Sequence, residues 1–246
     1  NVLLASIAPD AATARSSRYY QTPYNADSWI IEDAEVKPSM RKRLFFPEEN
    51  VFIPSRLEVR SRPLLPSPEN TVSEEQVAAP QRVLSNQRAQ VWFQQDQVFD
   101  VPRAHMYLRV KSPLVARDAG GAAQAALFAA LVEDQLNEFS WPARLAGLDY
   151  SLTAHARGFD LHIAGYSNRQ GLLLNKVAES IRKAQFTQER FAIRKAALLR
   201  DWKNRDHNSP YQVLLPKIAA LQVSPFWSDD AMVKALENKT WEQFRQ

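Results

Sequence analysis

Nine of the chain's 15 prolines, and none of its 6 glycines, fall within residues 1–80. Proline has no N–H to donate and a fixed φ, so a stretch this rich in it cannot be regular helix or central strand. The run Arg62-Pro63-Leu64-Leu65-Pro66-Ser67-Pro68 is the extreme case. The apolar residues around it (Trp29, Ile30, Leu44, Phe45, Phe46, Phe52, Ile53) follow no single period. The expectation is an apolar strand at residues 2–8, then an extended linker that is stable only against another surface. The chain opens at Asn1 with no secretory leader pattern, which reads as an excised or processed piece.

After Pro80 the pattern becomes that of a packed domain. Residues 89–99 are rich in strand formers. Residues 104–111 alternate, with Met106, Leu108 and Val110 on one face. Val101-Pro102-Arg103 between them predicts a hairpin of these two strands. From Asp118, a plausible N-cap, an Ala/Leu-rich stretch predicts a long buried helix to about Phe139. Strands at 148–156 and 158–165 form a second predicted hairpin. Helices at 170–184 and 187–205 follow, the latter with a Phe191, Leu198, Trp202 stripe. Ser209-Pro210 opens another helix, and Thr240-x-x-Gln243 is a capping box near the end. The order β-β-α-α-β-β-α-α predicts an α+β fold. It would be a two-layer sandwich of an antiparallel or mixed sheet with helices on one face, preceded by the extended linker.

Composition closes off several kinds of chemistry. The chain has no cysteine, which excludes disulfides, thiolate nucleophiles and cysteine-ligated zinc. No apolar run reaches the roughly 20 residues of a membrane helix. The net charge is +4, and the excess lies after residue 80, where 22 basic groups face 16 acidic ones. That is short of the basic stripe of a nucleic-acid binder, so neither membrane nor nucleic acid is an expected partner.

The search for a site begins with the four histidines, His105, His155, His162 and His207. None has the spacing of a helical zinc motif. His155 and His162 could meet across the second hairpin, with Asp160 on the face of His162, but the commoner role of such residues is a satisfied or solvated strand histidine. Glu133-Asp134 and Asn137-Glu138 could do acid–base work; more often such a group is a polar helix end turned to solvent. Gly120-Gly121 could admit an anion at a helix start or serve close packing. The helix at 187–205 is strongly basic, and Arg190, Arg194 and Lys195 are its candidate anion-binding residues; a solvated outer face is the alternative. Trp92-Phe93 and Trp202 could stack bases, though both sit where a core would need them. No catalytic and no metal-ligating residue is assigned.

Several stretches carry a family resemblance. Residues 92–104 (Trp-Phe-Gln-Gln-Asp-Gln-Val-Phe-Asp-Val-Pro-Arg-Ala) resemble the W-F-x-Q-D-x-x-F-x-x-P-[KR]-A segment of the insulysin/pitrilysin zinc metallopeptidases. Leu136-Asn137-Glu138-Phe139 and Ala143-Arg144-Leu145-Ala146-Gly147-Leu148-Asp149-Tyr150 are similar to that family's L-N-E-[YF] and A-x-L-A-G-L-x-Y. Gly165-Tyr166-Ser167-Asn168-Arg169-Gln170 is similar to its G-Y-[NST]-x-[KR]-Q, and Asn50-Val51-Phe52-Ile53-Pro54 to its N-x-[FY]-I-P.

The resemblance implies a division into the tail of a preceding α+β domain (1–27), a joining segment (28–82) and the non-catalytic third domain (83–246), and it leaves truncation of that domain at its C-terminus open. It also implies a chamber-wall role in a zinc-dependent peptidase, with no cofactor in this piece and zinc elsewhere in the parent enzyme. In that family a zinc helix and a distal glutamate stand where 118–139 and 187–205 lie here; the first holds no histidine and the second only Glu189. The implied partners are the catalytic N-terminal half and fourth domain of the same protein, and peptide substrates. The implied compartment is the bacterial periplasm or cytoplasm. The competing reading is a stand-alone peptide- or anion-binding module that uses the basic helix or an open sheet edge.

Overall fold

The computed structural model describes residues 12–25, 46, 48–59, 79–96, 99 and 101–245. The strand expected at 2–8 and the proline run at 62–68 lie outside the described residues. The chain divides into two compact units, Asn1–Glu48 and Glu49–Gln246. In the first, a short antiparallel pair, β1 (Arg15–Ser16) and β2 (Pro23–Tyr24), is held by the Asn25 side chain, which bonds Ala12 and Ala14.

The second unit is organised by one helix. After β3 (Gln81–Ser85), β4 (Gln90–Phe93), β5 (Arg103–Lys111) and the short α1 (Pro113–Ala116), the chain enters α2, Ala119–Leu145, 27 residues long. Asp118 caps it as expected, its carboxylate accepting the Gly121 N–H at 2.7 Å. A side chain at Gly121 would meet the Leu114 carbonyl at 2.2 Å, so that glycine serves close packing of α2 on α1. The helix continues six residues past the expected end at Phe139, running through Pro142 in its last turn. Asn50 helps this end by donating its side-chain N–H at 2.8 Å to the Pro142 carbonyl, which also accepts the Ala146 N–H. The turn that follows uses Gly147 at φ +75.

Then come β6 (Leu148–His155), β7 (Gly158–Tyr166), α3 (Ser167–Arg182), α4 (Gln188–Asn204), α5 (Pro210–Gln222), α6 (Asp229–Glu237) and α7 (Trp241–Arg245). The hairpin of β6 and β7 and the capping box at Thr240 match the expectations, and Thr187 caps α4. The hairpin proposed for residues 89–99 and 104–111 is corrected. β4 pairs with β3, and β5 pairs antiparallel with β7, giving the order β5-β7-β6. The reason is the apolar match: Met106 and Leu108 sit opposite Ile163 and Leu161. That long-range pairing outweighs closure of a local turn.

The sheet is antiparallel, with helices covering the face that carries Leu148, Leu152, Leu161 and Ile163. An α+β architecture is thus the observed fold. Helix α2 is buried on two sides, which explains a sequence that is Ala/Leu-rich all round. Val132, Leu136 and Ala143 join the sheet core with Leu173 and Val177 of α3. Ala123, Leu127 and Leu131 join a second core with Phe191 and Trp202 of α4 and Val233 and Leu236 of α6. Trp92 and Phe93, expected in a core, are instead more than half exposed on the β3–β4 hairpin.

The linker residues nearest the domain belong to its core. Phe52 is 1% exposed and meets Phe139 edge-on, with ring centroids 5.2 Å apart. Around it, the Ser55 N–H donates to Asn168 and Arg169 donates to the Ile53 carbonyl. Residues 50–55 therefore clamp the end of α2 to the start of α3. Phe52→Ala should destabilise this unit by about 3–5 kcal/mol, read as a shift in the urea unfolding midpoint. A loss below about 1 kcal/mol would show that the segment merely lies on the surface.

Candidate functional site

The strongest polar feature lies where α2 meets α4. Asp134 lies well inside α2, and its side chain is 7% exposed. Arg190 and Arg194, one turn apart on α4, both grip it, with Arg194 Nε at 2.9 Å. The hydrogen bond from Arg190, joined by Arg194, holds the carboxyl well below its ordinary value near 3.8, against the opposing effect of burial. The third candidate cation, Lys195, donates to the carbonyls of Glu237 and Lys239, both at 2.8 Å, closing the C-terminal end of α6. Arg190, Arg194 and Lys195 are thus engaged with groups of the protein itself.

The reading of Glu133-Asp134 as a solvated helix end is corrected in position, and in solvation for Asp134 alone, since Glu133 is exposed. Because α2 runs on to Leu145, both lie well inside it. Glu133 reaches the sheet, where Oε1 accepts the Leu152 N–H at 3.2 Å; Asn137 and Glu138 are exposed. Beside Glu133 a cavity of about 230 Å³ is lined by Asn137, Ser140, Arg144, Tyr150 and Arg194. Burial, reinforced by the Glu133 charge, pushes the Tyr150 hydroxyl up to about 12. The phenol therefore stays protonated at neutral pH and cannot act there as a base. The cavity can hold a polar group, but its lining residues include no activated nucleophile.

The histidines are arranged by register. His155 sits opposite Gly158, and His162 opposite Ser151, so the two do not meet across the hairpin. His162 instead meets His105 of β5, with Nε2 and Nδ1 3.1 Å apart, and Tyr107 stacks on it with centroids at 4.3 Å. Asp160 is held by both nitrogens of the Arg109 fork at 2.8 Å, and His155 Nε2 lies 3.6 Å from it. Arg109, through its hydrogen bond, lowers the Asp160 carboxyl from its ordinary value. His207 lies in a short 3-10 turn after α4. Among the described residues, no three His, Asp or Glu side chains converge as a metal site would require.

A zinc ion does not fit the α2–α4 junction. One carboxylate already shared by two guanidinium groups offers no free donor set, and the two cations would repel a divalent ion. The interaction that occupies this junction was missed in the sequence. Its signal was present: two arginines four apart on one helix, and a lone aspartate inside an Ala/Leu-rich one.

Two outcomes follow from these charges. Asp134→Asn should destabilise the domain by roughly 1–3 kcal/mol at neutral pH. The folded value is depressed, so this contribution is complete above the ordinary carboxylate value and disappears as pH falls through the depressed one. The stability gap between wild type and variant, measured by urea unfolding at stepped pH, should close below about pH 4. Tyr150 has the opposite sign. Its folded value is raised above the ordinary 10, so folding loses stability as pH climbs from 10 toward about 12. Tyr150→Phe should remove that alkaline loss in the same assay.

Comparison with known proteins agrees with this fold. Residues 1–235 match the family described as the middle or third domain of the M16 peptidases. Insulin-degrading enzyme of Homo sapiens is 28% identical over 243 residues, which are 97% of this chain and 23% of that protein. A Schizosaccharomyces pombe relative, which its name assigns provisionally to the zinc proteases, is 28% identical over 240 residues, 96% of this chain and 24% of its own. The crystal structure of pitrilysin has the same fold, with a TM-score of 0.70 at 19% identity, covering 96% of this chain and 24% of that one. The chain spans about a quarter of the length of the curated relatives it matches. With the family's model matched along nearly its whole length, the chain belongs to the M16 peptidase family, as its middle or third domain.

Proposed function

We propose that the chain is a non-catalytic structural domain of a larger zinc-dependent peptidase and forms part of the wall of an enclosed chamber for small peptides and proteins. The observation that carries this is apolar surface left bare. Helix α5 exposes Tyr211, Leu214, Leu215 and Ile218, with Leu221 87% exposed, and the β3–β4 hairpin exposes Val83, Trp92 and Phe93. Patches of this kind on a folded domain are contact surfaces. The chain spans about a quarter of its relatives, so the natural cover is the remainder of the same protein. On this reading residues 1–27 are the tail of a preceding domain, 28–82 the joining segment and 83–246 the wall domain. Zinc belongs to the catalytic N-terminal half, and that half and the fourth domain are the partners. Peptide selection then follows from enclosed volume. An anion-binding role for Arg190, Arg194 and Lys195 is disfavoured, because these three cations face Asp134 and the end of α6.

The test uses the full-length parent enzyme. Leu214→Glu with Leu221→Glu should lower peptide turnover at least about tenfold by disrupting the cover of α5, with bound zinc per molecule unchanged. The 246-residue chain alone should neither cleave peptides nor retain zinc. Peptide turnover by the pure chain with about one zinc per molecule would overturn the proposal, as would full activity in the doubly substituted parent.

A further inference from the structure

We propose that His105 and His162 share one proton across the β5–β7 seam and form an acid-sensitive latch on the open face of the sheet. The latch lies within this chain and does not depend on the wall reading. The register brings the two rings together. Met106, Leu108, Leu161 and Ile163 pack in the core on the helix side, so His105, Tyr107 and His162, which alternate with them, lie on the other face. Tyr107 is directly opposite His162. The Ser167 N–H donates to the Pro102 carbonyl, so the even-numbered residues of β5 bond to β7. Tyr107 and His162 are therefore a non-hydrogen-bonded pair, the kind with the closer side chains. Their rings stack accordingly, 3° from parallel with centroids 4.3 Å apart. His105 is opposite Ala164, whose single methyl leaves its ring free to lean along the strand to its diagonal neighbour.

The contact itself is nitrogen to nitrogen. Nδ1 of His105 and Nε2 of His162 are 3.1 Å apart, the ring planes differ by 11°, and the centroids are 5.3 Å apart. The centroid separation exceeds the nitrogen separation by nearly two ring radii, so both nitrogens lie close to the line between the ring centres. That is the geometry of a straight, in-plane N–H···N bond. A metal ion on that line would sit about 1.5 Å from each nitrogen, too close for the roughly 2.0 Å of a metal–imidazole bond. The bond needs one donor and one acceptor, which two neutral rings supply in complementary tautomers. One added proton keeps the bond and makes it charge-assisted. A second proton removes the acceptor, and two positive rings then face each other at hydrogen-bonding distance. Histidine changes charge between about pH 5 and 8, so the latch holds near neutral pH and opens in mild acid.

The neighbouring charges leave that second proton uncompensated. On β5, Arg109 is tied to Asp160 of β7 through both arms of its fork, Arg103 lies over the Tyr166 ring, and Lys111 extends the positive row. On β6, Asp149 is paired with Arg144. His155 is held apart: its Nδ1 accepts the Arg157 N–H, and its Nε2 lies 3.6 Å from Asp160. Both carboxylates, Asp149 and Asp160, are thus engaged by arginines, and neither is left to offset a doubly charged pair. His105 is exposed and His162 half-buried, so His105 is the ring that turns into solvent when the bond is lost.

The test is a double-mutant cycle in the 246-residue chain, using His105→Ala, His162→Ala and the double variant, read as urea unfolding midpoints at stepped pH. At pH 7 the midpoint losses of the two single variants should sum to more than that of the double variant, and this coupling should vanish or change sign by about pH 5. The sign follows because the folded pair opposes the second proton: the unfolded chain binds more protons there, and stability falls as pH falls. A coupling that is constant with pH belongs to packing and overturns the proposal, as does its absence at pH 7. Repeated in a His155→Ala background, the cycle should keep its pH dependence; loss of that dependence assigns the effect to His155 and overturns the proposal too. A second measurement needs no variant. Nitrogen NMR of the imidazoles at pH 7 should find one proton between the two facing nitrogens; a proton on both, or on neither, contradicts the latch.

Discussion

Burial of α2 on two sides is the constraint from which the rest of the domain follows. One side needs a sheet, the other needs helices, and both needs arise from the same 27 residues. The sheet can satisfy its side only by presenting one apolar face, which fixes the register of β6, β7 and β5 to a single parity. The other side recruits α4, α6 and α7 through Phe191, Trp202, Leu236 and Phe244. Small side chains such as Ala123 and Ala129 allow close approach, and the larger leucines fill what remains.

Against that apolar background Asp134 stands out. A carboxylate buried between two helices is costly unless its charge is met, and two arginines on α4 meet it. The pair orients α4 on α2, which apolar contact alone leaves free to slide. It also fills the junction of the two helices with fixed charge of both signs, leaving no donor set for a metal. The proposed wall role draws on the apolar patches that this arrangement leaves bare on α5 and the β3–β4 hairpin.

The chemistry of individual residues was less legible than the outline of the fold. The helix at Asp118, the β6–β7 hairpin and the reciprocal cap at Thr240 were visible because each depends on residues close in sequence. The 89–99/104–111 hairpin failed because a short connection was weighed above a distant apolar match. His155 and His162 looked like neighbours until the register set them apart and brought His105 in from β5. Phe52 read as part of a linker, since nothing local reveals that a residue 87 positions before Phe139 will meet it.

What the sequence by itself determined is whatever is decided within a turn or two of chain: helix caps, strand alternation, proline's exclusion from regular structure, and ordered motifs sufficient to name the family. What only the tertiary structure decided is which strand pairs with β5, which charges meet across α2 and α4, and which surfaces stay bare. The physical reason is range. Local preferences are worth a few tenths of a kcal/mol per residue and can be read in order. Pairings across tens of residues are settled by competition among apolar faces and by the cost of burying charge, and that competition is resolved only when the whole domain is assembled.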